Sequence, residues 1–444
     1  MQTVKIYRLE HLPRSVASLI YEGQREASRV WNFCKDLHKE ARINHTLWRS
    51  VGGGGFPRRT SLANRNELHR LTKGKFALCA QTVQQINQAF LANVDTTREV
   101  RKQNHKIRYP WKDKRFYPIL FPRQAITIKP GRVVLPMGRG RQSIALKLDL
   151  PDNAGGCKLV WNDGYELHVS IESVVADVAP GNFKATVDLG EIHQAAVTTN
   201  TGHGLIVSGR GIRSLKRQRH KALGQIAKKR SRCQKYSRRW KKLLRARRKI
   251  SSRVERRVRD LRHKGTRQVI KFCQDNQVGS LYVGNPHGVR DKKSGRHHHQ
   301  RMSGWEYGVD INYLQHKSKQ AHISCFTGTE RGTSSQCPVC GHRHKPRSRN
   351  WKCRKCGFTG HRDLVGSVNM HPLGFGQKIQ FPTQITYLRP GITRSSSSAD
   401  TRQSCLRESV GQAPALQCFR LGTAHSVEVS KTARLPLGDG SVTI

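Results

Sequence analysis

Residues 337–370 have the sequence CPVCGHRHKPRSRNWKCRKCGFTGHRDLVGSVNM. The segment contains two Cys-x2-Cys pairs separated by twelve residues, which are Cys337, Cys340, Cys353 and Cys356. Two thiolate pairs at this spacing form knuckles that close one tetrahedral metal site. A glycine follows each pair, Gly341 and Gly357, and permits the tight turn of the knuckle. The sequence therefore predicts a zinc ribbon over residues 331–357.

Sulfur fills all four positions of this predicted site, so no position is left for water and we expect the zinc to be structural. An iron–sulfur cluster or a redox-active dithiol is the alternative. His342 and His344 lie beside the cysteines but are not needed as ligands. The other eight of the twelve cysteines stand alone in the sequence, which is typical of small buried residues.

Two aspartates lie on predicted elements on either side of the ribbon. Asp363 follows the ribbon at the start of a predicted helix, and Asp188 lies on the first of three predicted strands, FKATVDLGE, HQAAVTTN and GLIVSG. Between them, residues 210–271 hold 27 Lys and Arg against two acids. The sparse apolar residues of this stretch keep helical spacing, so we predict two long cationic helices with a narrow apolar stripe.

The charge of the chain points to a polyanion as partner. The 444 residues include 82 Lys and Arg against 29 Asp and Glu, a net charge of +53. Such a charge opposes compaction unless a polyanion neutralises it, and nucleic acid is the obvious one. No run of about 18 apolar residues predicts a membrane span, and the amino terminus lacks a signal-peptide core. We expect a cytoplasmic protein of prokaryotic type, associated with the nucleoid when bound to its target.

The amino-terminal part has a different pattern of apolar residues and turn signals. Residues 1–10 alternate as a strand does, and residues 11–105 carry apolar residues at helical spacing. Residues 106–180 contain short apolar runs between Pro-Gly and Asp-Gly turns, which are hairpin signals. We therefore predict a small β-barrel with an inserted helical bundle. Residues 372–444 have few aromatic residues and no periodicity, so we predict a disordered tail.

Taken together, these motifs resemble the TnpB family, the RNA-guided nucleases of insertion sequences, and the related compact type V CRISPR effectors. VDLG at 187–190 is similar to the first RuvC motif, and LRHKGTRQVI at 261–270 to the family's HK-containing helix. The cysteine pairs followed by HRDLVGSVN resemble the zinc ribbon and third RuvC motif. The likeness covers about residues 1–370, and its carboxy-terminal half is the more specific.

The resemblance implies an α+β multidomain protein with an RNase H-like (RuvC) nuclease core. That core comprises residues 181–330 and 358–371, interrupted by the zinc ribbon. The resemblance also implies that the barrel, formed by residues 1–10 and 106–180, is a wedge-like domain. Residues 11–105 would form a helical recognition domain. The implied activity is cleavage of DNA that a bound guide RNA has selected.

In such a nuclease two Mg²⁺ ions need carboxylates from several elements. The resemblance assigns Asp188 and Asp363 to this role, but Asn285 stands where the family has a third acid, a glutamate. An amide is neutral and is a weaker ligand for Mg²⁺. Our preferred substitute is Glu306, with Glu191 and Asp310 as weaker candidates. Otherwise the site is inactive, and the protein only binds DNA where its RNA directs it.

We also predict contacts with nucleic-acid backbone, because cationic side chains are concentrated in two places. The predicted contact residues are Arg101, Lys102, Lys106 and Arg108 in the amino-terminal part, and Lys228, Lys229, Arg230, Arg238, Arg239, Lys241 and Lys242 on the two basic helices. For the first group a solvated turn is the alternative. His297–His299 are expected in a polar loop over the active site.

The leading hypothesis is thus an RNA-guided, Mg²⁺-dependent DNA endonuclease with a structural Zn²⁺, a guide RNA and double-stranded target DNA as partners. The first alternative is a nuclease-inactive RNA-guided DNA-binding protein that acts as a repressor or targeting module. A structural RNA-binding protein of ribosomal type is a further alternative that the charge alone favours. It leaves the spacing of Asp188, the ribbon and Asp363 unexplained.

Overall fold

The computed structural model describes residues 2–50, 65–289, 295–344, 346 and 348–391, and for residues 44–50 only the course of the helix. All described residues lie in the first of two compact units, Met1–Ser397. Its amino-terminal part contains β1 (Gln2–Leu9), α1 (Arg14–Ser50), α2 (Arg65–Thr72), α3 (Ala80–Gln103), β2 (Ile119–Phe121), β3 (Thr127–Lys129), β4 (Arg132–Leu135), β5 (Ile144–Leu146), β6 (Ala154–Trp161) and β7 (Tyr165–Glu172).

These strands form two antiparallel sheets, ordered β1-β7-β6-β2 and β3-β4-β5. Among the described strands the pairing gives two open sheets, whereas the hairpin signals predicted one closed barrel. Local turn signals determine which neighbours pair, but they carry no information on whether the last strand meets the first. One apolar core, with Trp31, Phe90 and Phe121 at its centre, joins both sheets to α1 and α3.

The remaining described elements follow in the carboxy-terminal part. They are β8 (Phe183–Asp188), β9 (His193–Thr199), β10 (His203–Ser208), α4 (Arg210–Ser231), α5 (Arg238–Asp275), β11 (Val278–Asn285), α6 (Arg296–Gly304), α7 (Tyr307–Gln320), β12 (Ser324–Thr329), β13 (Asn350–Lys352), β14 (Thr359–His361), α8 (Arg362–Phe375) and β15 (Gln384–Leu388). The three predicted strands and both long basic helices are present at their predicted places.

Six of these strands form one mixed sheet in the order β12-β11-β8-β9-β10-β15. Strands β8, β11 and β12 run parallel, whereas β9 is antiparallel to β8 and to β10. The carboxyl ends of parallel strands meet at one edge of a sheet. The last residues of β8, β11 and β12 (Asp188, Asn285 and Thr329) therefore lie along the same edge.

The two faces of this sheet are covered by different helices. Val187, Val283 and Leu314 share an apolar cluster with residues of α5 and α7 on one face. On the other face, the Thr186 hydroxyl lies 2.9 Å from that of Ser367 in α8. Successive side chains of a strand point to opposite faces. Asp188 therefore shares the α8 face with Thr186.

The structure corrects two predictions here. Residues 384–388 belong to the predicted disordered tail, but they form β15, which pairs parallel to β10 at the edge of the sheet. The segment QITYL contains β-branched and aromatic residues that suit a strand. Residues 392–444 of that predicted tail lie outside the described residues. His297–His299 are helical, in α6, where a loop was predicted. None of the described helices is long and apolar enough to cross a bilayer.

Candidate metal centre and nucleic-acid interface

Asp188 sits at the end of β8, directly beneath α8. A β-carbon placed on Gly366 of α8 would lie 2.3 Å from Oδ2 of Asp188. No real side-chain carbon comes so close, so only glycine lets the helix pass over this carboxylate. Gly366 lies one helical turn after Asp363, which brings the first turn of α8 to the same edge of the sheet.

Glu330 brings a second carboxylate to this edge from the next strands. It follows β12 directly, and the register pairs Gly328 of β12 with Gly284 of β11. A β-carbon on Gly284 would lie 2.6 Å from Oε2 of Glu330. Because Val283 pairs with Val187, Gly284 is the neighbour of Asp188 in the sheet. The Glu330 side chain thus lies over a bare glycine backbone, on the side towards Asp188.

The electrostatics of Asp188 show that these acids act on one another. Burial raises the pKa of Asp188 well above its usual range, and the negative charges of Glu330 and Asp363 raise it further. Arg362 and Arg349 oppose this effect. A cluster of acids that resist simultaneous ionisation is stabilised by bound cations. The three carboxylates offer the hard oxygen donors that Mg²⁺ prefers.

Asp363 has its own polar partners at the start of α8. Its Oδ2 lies 2.7 Å from Nδ1 of His193 and 2.6 Å from Nη1 of Arg349. Burial opposes ionisation of Asp363, but the His193 hydrogen bond and the charge of Arg349 outweigh it and hold its pKa below the usual range. His361 is buried enough that its pKa is lowered, and its Nδ1 accepts a hydrogen bond from the Asp363 backbone N–H.

The structure does not bring Glu306, the preferred third acid, to this cluster. Glu306 directly precedes α7, and its Oε2 lies 2.8 Å from Nζ of Lys216 and 3.1 Å from Nη2 of Arg262. Although burial opposes its ionisation, these cations lower its pKa. The α7 helix covers the opposite face of the sheet, so the sheet separates Glu306 from Asp188. The prediction that Glu306 joins the two aspartates is wrong for this reason.

The two weaker candidates are engaged with cations as well. The Asp310 carboxylate bonds Arg262 at 3.1 Å and Gln194 at 3.0 Å, and burial raises its pKa to about 6. Glu191 pairs with Arg213 of α4 at 3.3 Å. Asn285 does not point towards Asp188 either. Successive residues of a strand face opposite sides of the sheet, and Gly284 faces α8, so Asn285 faces α5 and α7.

Glu330 is the residue that the motif comparison missed. The family motif has its third acid at the end of β11, where this chain has Asn285, whereas Glu330 follows the next strand along the edge. The signal is nevertheless present in the sequence, since HISCFTGTE has an acid directly after the apolar and β-branched residues that form β12. An acid after any parallel strand of one sheet reaches the same edge.

The four cysteines converge as their spacing predicts. Their Sγ atoms approach to 3.6 Å between Cys337 and Cys356 and to 3.5 Å between Cys340 and Cys353. Four sulfurs at about 2.3 Å from one tetrahedral zinc are nearly this far apart. The site therefore fits zinc. Cys337 and Cys353 pack with fully buried Trp351 and with Val365 of α8, so the ribbon is anchored on the helix that carries Asp363.

A cationic cavity of about 820 Å³ opens at the same edge of the sheet, between α4, α5 and α6. Its lining includes Arg213, Lys216, Arg217, Lys221, Arg262 and Arg301. Glu191, three residues after Asp188, also lines it. Phosphate groups suit such a cavity, because Arg and Lys bind them by charge and hydrogen bonds.

The predicted contact residues are mostly accessible. On the ends of α4 and α5 that meet at the turn, the exposed ones are Lys228, Lys229, Arg238, Arg239, Lys241 and Lys242, and Arg230 is half-buried. Lys102, Lys106 and Arg108 are exposed in the amino-terminal part, whereas Arg101 bonds the Ile107 carbonyl and covers the Tyr109 ring.

Two family models match the chain. Residues 166–290 match the family described as a probable transposase, OrfB_IS605, and residues 307–370 match the Cas12f1-like TNB domain. Among curated proteins, a TnpB-like protein of Methanocaldococcus jannaschii, MJ0751, is 27% identical over 125 residues, which are 28% of this chain and 45% of that protein. The CRISPR-associated endodeoxyribonuclease Cas12f1 of an uncultured archaeon is 25% identical over 112 residues, 23% of this chain and 21% of that protein.

The chain thus spans less than half the length of these two curated relatives. A solved structure titled as a Cas12f1–sgRNA–target DNA complex aligns over 81% of this chain and 83% of its own, with a TM-score of 0.58 and 14% identity. At that identity the likeness concerns the fold alone. The fold is that of a Cas12f-like α+β protein with a cysteine cluster. The chain is related to the TnpB family, as its motifs predict.

Proposed function

We propose that the chain is an RNA-guided DNA endonuclease of TnpB type, with Asp188, Glu330 and Asp363 as the metal-binding carboxylates. The observation that carries the proposal is the arrangement of these acids. They come from three separate elements and meet at one sheet edge, where Glu330 and Asp363 raise the pKa of Asp188. In soluble proteins such a cluster is costly unless it binds cations.

The order of the sheet supports a nuclease core of RNase H type. An antiparallel trio, β10-β9-β8, is extended by two parallel strands, β11 and β12, and helices cover both faces. Asp188 ends the central strand of these five, and the other acids approach it from either side. Each acid can thus face one phosphodiester placed at the edge.

When bound, a pair of Mg²⁺ ions would polarise the phosphodiester and lower the pKa of the attacking water. The protein's own residues hold and orient the reactants. Asp188, which lies between the other two acids, would contribute to holding both ions, and Glu330 and Asp363 would each help to hold one. Gly284 and Gly366 keep room for these carboxylates, since a side chain on either would displace them.

The guide RNA and the target DNA would be bound through their backbones, and base pairing between them would supply the sequence. The Cas12f1 structure named above contains such an RNA and DNA. In this chain eight exposed cations, from Lys228 to Lys242, lie at the turn between α4 and α5, and six further Lys and Arg side chains line the cavity. The protein would work in the cytoplasm, and a zinc ion would stabilise the ribbon.

Cleavage of a matched plasmid by the ribonucleoprotein tests the proposal. The full chain is produced together with its RNA, and cleavage is measured with Mg²⁺. Asp188→Ala, Asp363→Ala and Glu330→Gln should each reduce cleavage by at least about 100-fold. Glu330→Gln keeps the shape of the side chain and removes only its charge.

Two further variants test whether Glu306, instead of Glu330, belongs to the metal site. Glu306→Gln should cleave within about threefold of the wild type, because Glu306 pairs with cations on the other face of the sheet. The exposed Glu172→Gln serves as a matched control. Target binding without cleavage by the wild type would favour the inactive, DNA-binding alternative. A function unaffected by Asp188→Ala would favour a structural RNA-binding protein.

A further inference from the structure

Two histidines stand beside Asp363. His361 is the first residue of the HRDLVGSVN motif, and His193 lies outside all the family motifs quoted above. The ligand atoms of His193, His361 and Asp363 all lie within 4.8 Å of one another. His193 begins β9 and its side chain is only 10% exposed. The rings of His193 and His361 are 5.0 Å apart. One carboxylate therefore has two imidazoles within reach of the same ion.

We infer that the cation held by Asp363 is also bound by the imidazole of His193, so that this position selects Mn²⁺ over Mg²⁺. The inference deepens the proposed function and rests on it. Mg²⁺ is a hard ion that takes oxygen donors, whereas an imidazole favours the divalent transition metals. Mn²⁺ accepts both kinds of donor.

The spacing of the donors suits one octahedral ion. Two adjacent ligands at about 2.1 Å from such an ion lie roughly 3 Å apart. Nδ1 of His193 is 2.7 Å from Oδ2 of Asp363, close to that value.

A cation of the protein already occupies this place. Nη1 of Arg349 lies 2.6 Å from Oδ2 of Asp363 and 3.3 Å from Nδ1 of His193. The guanidinium thus contacts the same two atoms that would bind the ion. Arg349 is 38% exposed and comes from the ribbon, so it can turn into solvent when a divalent ion replaces it.

His361 completes the group as the third donor. Its Nδ1 accepts the Asp363 backbone N–H over 3.3 Å, a long bond that caps α8. Asparagine is a good residue at a helix N-cap. His361→Asn can therefore keep the cap while it removes the imidazole.

Mn²⁺ binding to the full, zinc-loaded chain tests this inference without any cleavage assay. Pulsed electron paramagnetic resonance detects the nitrogen nucleus of an imidazole bound to Mn²⁺. We expect this coupling in the wild type and its loss in His193→Asn, whose amide retains a hydrogen bond to Asp363. Mn²⁺ affinity should fall about tenfold in His193→Asn, while Mg²⁺ affinity, measured by competition, stays within about twofold.

Three variants complete the design. Asp363→Asn should abolish the nitrogen coupling, His361→Asn should weaken Mn²⁺ binding, and His105→Asn, at an exposed site in the amino-terminal part, should change neither. Absence of nitrogen coupling in the wild type, or its persistence in His193→Asn, overturns the inference. Coupling that depends on His193 in a protein that does not cleave would leave the inference standing and refute the proposed activity.

Discussion

Arg349 of the zinc ribbon and Asp363 of α8 form an ion pair of 2.6 Å between Nη1 and Oδ2. The pair connects the two parts of the carboxy-terminal region that the motifs identify separately. It also places a positive charge where a divalent ion is proposed to bind. Metal binding must therefore displace the guanidinium or tolerate its charge.

Arg349→Gln should strengthen the binding of divalent cations. Arg349 is partly exposed and solvent screens its charge, so we expect a gain of about 1 kcal/mol, or roughly fivefold in affinity. Isothermal titration of the zinc-loaded protein with Mn²⁺ or Mg²⁺ measures it. Arg343→Gln, an exposed change in the same ribbon, is the control. Weaker cation binding in Arg349→Gln would show that the arginine supports the site instead of competing for it.

Gly366→Ala should disturb the carboxylate cluster, because the added carbon would lie 2.3 Å from Oδ2 of Asp188. Alanine favours a helix by about 1 kcal/mol over glycine, so a loss of function at this position points to the steric clash. We expect cation affinity to fall at least tenfold. Gly308→Ala in α7, where an added carbon meets nothing within 4 Å, should keep the affinity and gain stability. Equal behaviour of the two variants contradicts the close approach of α8 to Asp188.

The raised pKa of Asp188 predicts a dependence of stability on pH when no divalent ion fills the cluster. A carboxyl whose pKa is higher in the folded than in the unfolded state holds more protons when folded, so stability falls as pH rises from about 4 through the folded value. Asp188→Asn removes this titration. At pH 8, with zinc retained and no Mg²⁺, the variant should melt about 2–4 °C above the wild type, as ~1 kcal/mol would produce.

Thermal unfolding followed at pH 5 and pH 8 measures this effect. The gap between Asp188→Asn and the wild type should narrow at the lower pH, and Mg²⁺ should raise the melting temperature of the wild type more than that of the variant. Asp310 also has a raised pKa, about 6, and contributes a slope of the same sign to both proteins. A variant that melts below the wild type at pH 8 would mean that the Asp188 charge is already compensated without metal.

Sequence patterns predicted most of the strands and helices around the site, because each is set by local periodicity. The cysteine cluster was predictable for a similar reason, since two knuckles and their glycines determine its geometry. The strands of the amino-terminal part were foreseen, but not their division into two sheets. That division depends on contacts between residues far apart in the sequence.

The third acid shows where local patterns stop being sufficient. Glu306 was preferred because it begins a helix close to the right edge, and nothing in the sequence shows which face of the sheet that helix covers. Glu330 reaches Asp188 because strand register places it over Gly284, and register is set by the whole sheet. No local pattern marks His193 as a site residue, because its partner, Asp363, lies 170 residues away in the sequence.

Loss of zinc should weaken the carboxy-terminal part and, through it, the carboxylate cluster. Cys337, Cys353 and Trp351 pack on Val365, two residues after Asp363. Because zinc-binding energy is folding energy, Cys353→Ser should lose its zinc and unfold at least ~5 °C below the wild type. Metal analysis and thermal unfolding measure both effects, with Cys233→Ser as the control. If Cys353→Ser loses its zinc but melts at the wild-type temperature, zinc binding to the ribbon does not contribute to the stability of α8.

RNA binding should depend steeply on salt, and part of that dependence should come from the turn between α4 and α5. Each phosphate neutralised contributes about −0.7 to −0.9 to the slope of log K against log salt concentration. The triple variant Lys228→Ala, Lys229→Ala and Lys241→Ala should therefore flatten the slope by about 2. Filter binding between about 50 and 200 mM salt covers the useful range.

The control for this experiment removes the same charge elsewhere. Lys129, Lys147 and Lys158 are exposed in or next to strands of the amino-terminal part, outside the predicted contact residues. Their triple replacement by alanine lowers the net charge equally but should leave the slope nearly unchanged, because a contact releases counterions whereas a distant charge is screened within about 10 Å. If both triple variants flatten the slope alike, overall charge governs RNA binding and the turn between α4 and α5 has no special role.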